Sequence, residues 1–276
     1  MRAWRALAAF GLMAVLHAIC NPSAAQDIEP LRTTLELGYS GEHFAYEELD
    51  EYLVTLMEET GWLHGPTARL QHPLSESWII GLDGRALTGS LNYDGQSWGG
   101  TPVKAGSDNF LAETRAYLGP YLGRSEKIEA LLYTGFGLRY WHNDLHGPGS
   151  YDREVTYYYF PTGLDLSGPL PPASRLGFIN EIDFFLYGVV DSHLSDLGGD
   201  TEDARNKQPQ GVGFRMSVYY IRKIGPKSSI RIEPYLMIWH VQESNPDVVK
   251  INGCSKMVVE PENQTLEAGL AVAVKW

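Results

Sequence analysis

The last twelve residues, TLEAGLAVAVKW (265–276), alternate between two kinds of side chain, and this pattern decides the fold. Counting back from the final residue, Trp276, Val274, Val272 and Leu270 share one face of an extended strand. The residues between them are small or charged and belong to the opposite face, because successive side chains of a strand point to opposite sides. The segment is therefore predicted to be a strand that is apolar on one side only.

The same alternation recurs along most of the chain and predicts ten strands. Short connections, such as HPLSES (72–77) and KIGPKS (223–228), alternate with long polar ones, such as DSHLSDLGGDTEDARNKQPQ (191–210). The segment AYEELDEYLVTLMEET (45–60) is expected to be the first long connection, with a helical turn of its own.

Two-faced strands in even number, joined by alternately short and long connections, are typical of a transmembrane β-barrel. Because a bilayer offers no water to exposed backbone groups, such a sheet must close on itself. We therefore predict an all-β, antiparallel up-and-down transmembrane barrel of about ten strands, closed by the C-terminal strand. Leu270, Val272, Val274 and Trp276 are expected to face lipid and to form the assembly signal. A soluble sandwich or lipocalin-like barrel is the alternative, but its outer face would be polar.

The first 25 residues have the features of a secretory signal. Arg2 and Arg5 precede a short apolar run, and small residues precede the cleavage site expected after Ala25. A lipid anchor at Cys20 is the rival interpretation. Residues 26–276 are then expected to form one outer-membrane β-barrel domain, with short periplasmic turns and long extracellular loops. Cleavage leaves Cys254 as the only cysteine, so no internal disulfide can form.

The charge balance limits the possible partners. The net charge is −12 and becomes −14 when Arg2 and Arg5 are removed with the signal. A nucleic-acid partner requires a basic face, so this balance argues against one. The expected partners are outer-membrane lipid, lipopolysaccharide and the barrel-assembly machinery, while the surface ligand stays unspecified. No cofactor is expected.

Several motifs resemble those of a known group of proteins. The stretches EPYLMIWHVQES (233–244) and EPENQTLEAGLAVAVKW (260–276) are similar to the last two strands of small bacterial outer-membrane β-barrel proteins. GFGLRYW (135–141) and FAYEELDEYLVTLMEETGWLHG (44–65) look like that group's middle and first-hairpin motifs, apart from the extended acidic connection. The resemblance implies a barrel domain in the outer membrane. It implies no particular chemistry, because the group is largely without assigned function.

If the apolar face of each strand meets lipid, the opposite faces place eight acidic and seven basic side chains in the lumen. Unpaired charges in a narrow interior are costly, so this near balance predicts a salt-bridge network that fills the barrel. The predicted network is Glu36, Arg69, Asp83, Arg85, Glu113, Arg115, Glu129, Arg139, Glu181, Asp183, Arg215, Arg231, Glu233, Glu267 and Lys275. One expected set of pairs joins Arg85, Arg115 and Arg139 to Glu36, Asp83, Glu113 and Glu129. A second joins Arg215 and Arg231 to Glu181, Asp183, Glu233 and Glu267.

A filled lumen predicts a structural or surface-interaction role. One alternative is a narrow, porin-like solute channel, and a second is an omptin-like surface hydrolase at the extracellular rim. Histidine–carboxylate pairs for a general base could come from His142, Asp144, His146, Asp191, His193 and His240. A metal site could come from His142, His146 and Asp144. No omptin motif matches residue by residue, so no catalytic residue or metal ligand is assigned and the chain is expected not to be an enzyme.

Overall fold

The computed structural model describes residues 31–96, 100–124, 128–147 and 149–276, so the expected signal segment 1–25 lies outside the described residues. The strands are β1 Thr34–Leu49, β2 Thr55–Pro73, β3 Trp78–Gln96, β4 Pro102–Arg124, β5 Glu129–Leu145, β6 Asp152–Leu170, β7 Ser174–Ser192, β8 Ala204–Gln208, β9 Gly211–Lys223, β10 Ser229–Val241, β11 Asp247–Ile251, β12 Cys254–Val258 and β13 Glu262–Lys275. A short 3₁₀ helix, η1, spans Leu194–Leu197. Within the described ranges no helix is both long enough and apolar enough to cross a membrane.

Ten of these strands close into an antiparallel barrel. Strands β1 to β7 pair in chain order, and the ring continues through β9, β10 and β13. Closure occurs between the first and last strands, where Glu36 of β1 lies opposite Lys275 of β13 and Arg69 of β2. The predicted fold class, an all-β barrel of ten strands closed by the C-terminal strand, is confirmed.

The two ends of the barrel differ in their connections. One end, here the short-turn end, carries the tight connections 74–77, 171–173 and 224–228. The opposite end, here the long-loop end, carries the connections 193–210 and 242–261. These contain extra structure, since β8 pairs with the last residues of β7 and β11 pairs with β12 in a separate hairpin.

The first connection is not the long segment that the sequence suggested. β1 continues to Leu49 and β2 begins at Thr55, which leaves only a five-residue turn, 50–54. The carboxylate of Asp50 accepts the backbone N–H groups of Tyr52 and Val54, each at 2.8 Å, and closes this turn. The acidic residues misled the prediction, because a strand that continues beyond an apolar band can carry glutamates on both faces: Glu58 is exposed, whereas Glu48 and Glu59 are buried inside the barrel.

The outward face of the barrel carries a continuous apolar band. Exposed members include Leu37, Tyr39, Trp62, Leu82, Phe136, Phe184, Leu270, Val272 and Trp276. Towards the long-loop end the outward positions become acidic, with Glu47 on β1, Glu58 on β2 and Asp108 on β4. The strands therefore extend past the band at this end, and this explains why they are longer than the sequence predicted.

Tyrosines in the lumen lie directly over glycines of neighbouring strands. A methyl group built on Gly137 would meet the ring of Tyr159 at 2.2 Å, and one built on Gly269 would meet Tyr235 at 2.4 Å. Gly81 and Gly177 make the same arrangement with Tyr117 and Tyr219. Each glycine thus leaves the space that a ring fills, which packs a narrow interior with few voids.

Candidate functional site

Charged side chains fill the half of the lumen nearer the short-turn end. Arg69 contacts Asp83 at 3.3 Å, Glu233 at 3.7 Å and Glu36 at 3.8 Å. On β10, Arg231 contacts Glu233 at 2.6 Å, and its guanidinium lies 3.6 Å from the centroid of the Tyr219 ring. Lys275 reaches Glu36 at 3.2 Å. A cavity of about 120 Å³ lies among these groups.

A layer of glutamates and arginines crosses the lumen next, and we call it the ionic layer. Its members are Glu42, Arg85, Glu113, Arg115, Arg139, Glu181, Arg215 and Glu267. Arg85 contacts three carboxylates at 2.6–2.7 Å, those of Glu42, Glu113 and Glu267. Each of the other three arginines contacts at least one carboxylate at 2.6–2.7 Å. The four positive and four negative charges compensate one another, as buried charges must.

The structure brings most of the predicted lumen residues together, with different partners in places. Arg85 meets Glu113 as expected, but Arg139 pairs with Glu267, which belonged to the other expected set. Glu129 lies apart at the short-turn end, where it contacts Arg175 at 2.5 Å and Arg124 at 3.4 Å. The pairing differs because side chains reach across the lumen rather than only along neighbouring strands.

Asp183 lies beside the ionic layer. It is buried on the same inward face of β7 as Glu181, and in the part of the chain that the structure describes no arginine forms a salt bridge with it. Asp183 therefore lies beside the network without the arginine partner that the sequence suggested.

In this half of the lumen two inward acids were not predicted. Glu42, which is fully buried, binds Arg85 and accepts the hydroxyl of Tyr235 at 2.7 Å. Asp165 accepts the hydroxyl of Tyr219 at 2.7 Å and lines the cavity. Glu42 is six residues from Glu36, so its even spacing along β1 was the signal that could have placed it on the inward face.

Above the ionic layer, towards the long-loop end, the lumen is closed by an apolar plug. It consists of Phe44, Leu63, Leu87, Leu111, Trp141, Val155, Tyr157, Tyr159 and Trp239, all at most 3% exposed. Aromatic contacts join opposite walls, with ring centroids 5.3 Å apart for Phe44 and Trp141 and 5.0 Å apart for Tyr159 and Trp239.

Beyond the plug lies a second group of buried charges, which we call the mouth cluster: Glu48, Glu59, Arg153 and Glu260. Arg153 of β6 reaches across the barrel to Glu48 of β1 and contacts Glu260 at 3.2 Å. Glu59 accepts hydrogen bonds from Asn143 at 2.7 Å and Ser107 at 3.3 Å. None of these four residues was predicted, because they come from segments interpreted as connections or as irregular strand.

The mouth cluster contains three carboxyl groups and one guanidinium, so its charges are not balanced. Burial raises the pKa of Glu59 from 4.5 to about 7, although Arg153 opposes the shift. Burial also raises the pKa of Glu260 to about 7, with Arg153 lowering it and Glu48 raising it. These carboxyl groups lie beyond the apolar band, level with Glu58, and are poised to titrate near neutral pH.

The histidines singled out from the sequence lie on the outward face or in loops. His142 lies 3.6 Å from Asp152, His146 lies 3.4 Å from Asp108 and His240 lies 3.7 Å from Glu262. His193 lies 3.5 Å from Glu154 and 3.7 Å from Asp203. In the part of the chain that the structure describes, no group of three or more His, Cys, Asp or Glu side chains could hold a metal ion.

The expected assembly residues lie where the sequence placed them relative to the barrel wall. Leu270, Val272 and Trp276 are exposed on the outward face of the closing strand, and Val274 lies between them in the same alternation. The backbone of Trp276 exchanges two hydrogen bonds with Leu35 of β1, at 2.9 and 3.1 Å. The last residue thus takes part in closing the barrel.

A closed ten-stranded antiparallel barrel with an apolar outward band and a filled, charged lumen defines the class: an outer-membrane-type β-barrel. The structure is similar to the outer membrane protease OmpT of Escherichia coli, with a TM-score of 0.65 and 12% sequence identity over 92% of this chain and 99% of that chain. At this identity the similarity concerns the fold alone. The resemblance suggested by the sequence motifs is thereby confirmed at the level of fold.

Two other solved barrels are similar more loosely. OprG of Pseudomonas aeruginosa gives a TM-score of 0.41 at 10% identity, covering 90% of this chain and 97% of that one. The toluene transporter TbuX of Ralstonia pickettii gives 0.35 at 8% identity, covering 95% and 97%. Neither score is high enough to support an argument. No protein-family model and no curated protein sequence matches the chain.

Proposed function

We propose that this chain is an outer-membrane barrel with a sealed lumen that acts through its long-loop surface, in a structural or surface-interaction role. In this proposal a signal peptide is cleaved after export, the barrel-assembly machinery inserts the barrel, and the long loops face the cell exterior. The lipid-facing band and the closing strand that ends at Trp276 support this placement. The partners are outer-membrane lipid and lipopolysaccharide, with a further surface ligand still to be identified.

The apolar plug is the observation that supports a sealed lumen. A solute channel needs a continuous path lined by water, whereas the plug residues fill the cross-section and are almost inaccessible. Below the plug the ionic layer forms a second barrier, because its arginines and glutamates form salt bridges across the lumen. A porin-like channel would require both layers to rearrange.

Conductance measurements test this proposal. The purified barrel in planar bilayers should show little steady conductance, and proteoliposomes should not swell in isotonic sugar. A general porin reconstituted in the same way would show that both assays respond. Large, stable, ion-selective openings from the purified chain would contradict the sealed lumen and favour the channel alternative.

Catalysis is not included in the proposal. OmpT is a protease by its name, but the fold likeness does not extend that chemistry to this chain. The histidine–carboxylate pairs lie at 3.4–3.7 Å on the outer wall and in loops. Ser90 donates its hydroxyl to Asp108, the partner of His146, at 2.8 Å, but among the described residues no hydrogen bond joins a serine hydroxyl to one of these imidazoles. Cleavage of a quenched fluorescent peptide library by the wild type, lost in His193→Ala, would reinstate the rim hydrolase.

A further inference from the structure

The outer wall of the barrel carries a small notch on β1 and β2, within the apolar band. Its floor is Gly41, where an added methyl group would meet no atom within 4 Å. Across the ladder, Gly41 lies opposite His64 on β2 and opposite Leu270 on β13. Tyr39 and His43 stand on either side of it along the same face of β1. The missing side chain thus leaves a gap bordered by two imidazoles.

Both imidazoles are held in place while keeping a polar edge free. The hydroxyl of Tyr39 lies 2.6 Å from Nδ1 of His64, and the two rings stack with centroids 5.9 Å apart. When the phenol donates this hydrogen bond, the proton of the imidazole lies on Nε2, which has no partner among the described residues. His43 packs edge-on against Trp62 at 5.6 Å, and no hydrogen bond to it is found in the described part of the chain.

The imidazole donors of the notch are unusual for side chains within the apolar band. Central outward positions of β3, β4 and β5 are occupied by Ala86, Ala112 and Leu138, which suit a lipid environment. Ionisable side chains at membrane depth are costly and commonly mark binding sites. The notch lies near the border of the band towards the long-loop end, because the outward face of β2 passes from Trp62 to the acidic Glu58 within four residues. In the orientation proposed above, headgroups of the outer leaflet lie at this border.

We propose that this notch binds a phosphate of lipopolysaccharide, with the imidazole N–H groups of His43 and His64 donating to phosphate oxygens. Hydrogen bonds to an anion are stronger than those between neutral groups, and the apolar surroundings strengthen them further. Leu270 and Trp62 supply apolar walls for the attached lipid. The inference rests on the proposed function, since it needs the long-loop end to face the outer leaflet.

Native mass spectrometry of the purified barrel in detergent tests the site directly. Diphosphoryl lipid A is the probe, and dioleoylglycerol is the control lipid without phosphate. Gly41→Val should fill the notch without disturbing the backbone, and His64→Phe should remove one donor while keeping a ring. Each should weaken lipid A binding by about tenfold or more, the effect of losing a hydrogen bond to a charged group.

Gly84→Val is the matched control variant. Gly84 is also an outward glycine of the band, and its added methyl group would have only one contact, at 3.8 Å, but no histidine faces it across the ladder. Its affinity for lipid A should equal that of the wild type. Equal affinities in all the variants, or equal binding of dioleoylglycerol and lipid A by the wild type, would overturn the proposal.

Two further measurements separate a loss of lipid A binding from a loss of folding and from a different cellular location. Heat-modifiable migration on gels shows which variants fold, and if Gly41→Val does not, His43→Phe with His64→Phe decides the question without a change at the glycine. Fractionation of cells tests the outer-membrane location independently of binding. A barrel that binds lipid A through the notch but is absent from the outer membrane would contradict the proposed function alone.

Discussion

The ionic layer and the mouth cluster are built from the same residue types but differ in charge balance. In the ionic layer four arginines meet four glutamates, and each arginine reaches at least one carboxylate at 2.6–2.7 Å. In the mouth cluster Glu48, Glu59 and Glu260 share Arg153. Where buried charges are matched, each one is held in a salt bridge. Where buried acids outnumber the cations, the stability of the region depends on pH.

The largest expected effect follows from removing one cation of the ionic layer. Arg85→Ala leaves three buried carboxylates, those of Glu42, Glu113 and Glu267, without a shared partner. The free energy of unfolding should fall by about 3–5 kcal/mol, as for other broken buried ion pairs. Urea unfolding in detergent micelles measures it, and His146→Ala in a loop should change it by less than about 0.5 kcal/mol. Similar values for both would mean that the layer does not stabilise the barrel.

The mouth cluster should make stability depend on pH. The pKa values of Glu59 and Glu260 are raised from 4.5 to about 7 in the folded chain, so folding favours their neutral forms. The contribution of these two groups to the free energy of unfolding should therefore be largest below pH 4.5. It should decline between pH 4.5 and about pH 7 and stay constant above pH 7. Each carboxyl group can contribute roughly 3 kcal/mol to this decline. Urea midpoints between pH 5 and pH 8 test the sign, which a rise in stability would contradict.

Replacing a single acid of the cluster isolates its contribution. Glu59→Gln removes the group that must ionise against burial, so at pH 8 the variant should be more stable than the wild type by roughly 1–3 kcal/mol. At pH 5 the difference should nearly vanish. Glu58→Gln is the matched control, since Glu58 is the exposed neighbour on the opposite face of β2. A pH-dependent gain in that control as well would point to surface charge instead of the cluster.

The smallest effect should come from a neutral contact between the two regions. The hydroxyl of Tyr157 in the plug donates to Oδ1 of Asn263 at 3.2 Å. Tyr157→Phe keeps the ring in the plug and should lower the free energy of unfolding by about 0.5–1.5 kcal/mol at any pH. Unfolding curves at pH 5 and pH 8 should shift equally. A shift confined to one pH would link this contact to the titrating carboxyl groups.

Much of the ionic layer could be predicted because period-two alternation identifies one face of a strand without knowledge of its neighbours. The plug could not be, because there both faces of the strands are apolar. At Trp62 and Leu63, for example, the first residue faces lipid and the second faces the lumen, so composition does not separate them. The mouth cluster was not predicted for another reason: Glu48 and Glu260 lie in segments that were interpreted as connections, so no alternation placed them on an inward face beside Arg153.

Tyrosine rings seated over glycines impose a rule on how this chain can vary. A side chain at position 81 requires Tyr117 to move or to be replaced by a smaller residue, and the same linkage ties position 137 to Tyr159. A single substitution at one of these glycines is then disfavoured, whereas a substitution of the glycine together with its tyrosine is tolerated. Substitutions at these positions inside the barrel should therefore occur in pairs. A designer who wishes to widen the lumen must replace both the glycine and its tyrosine.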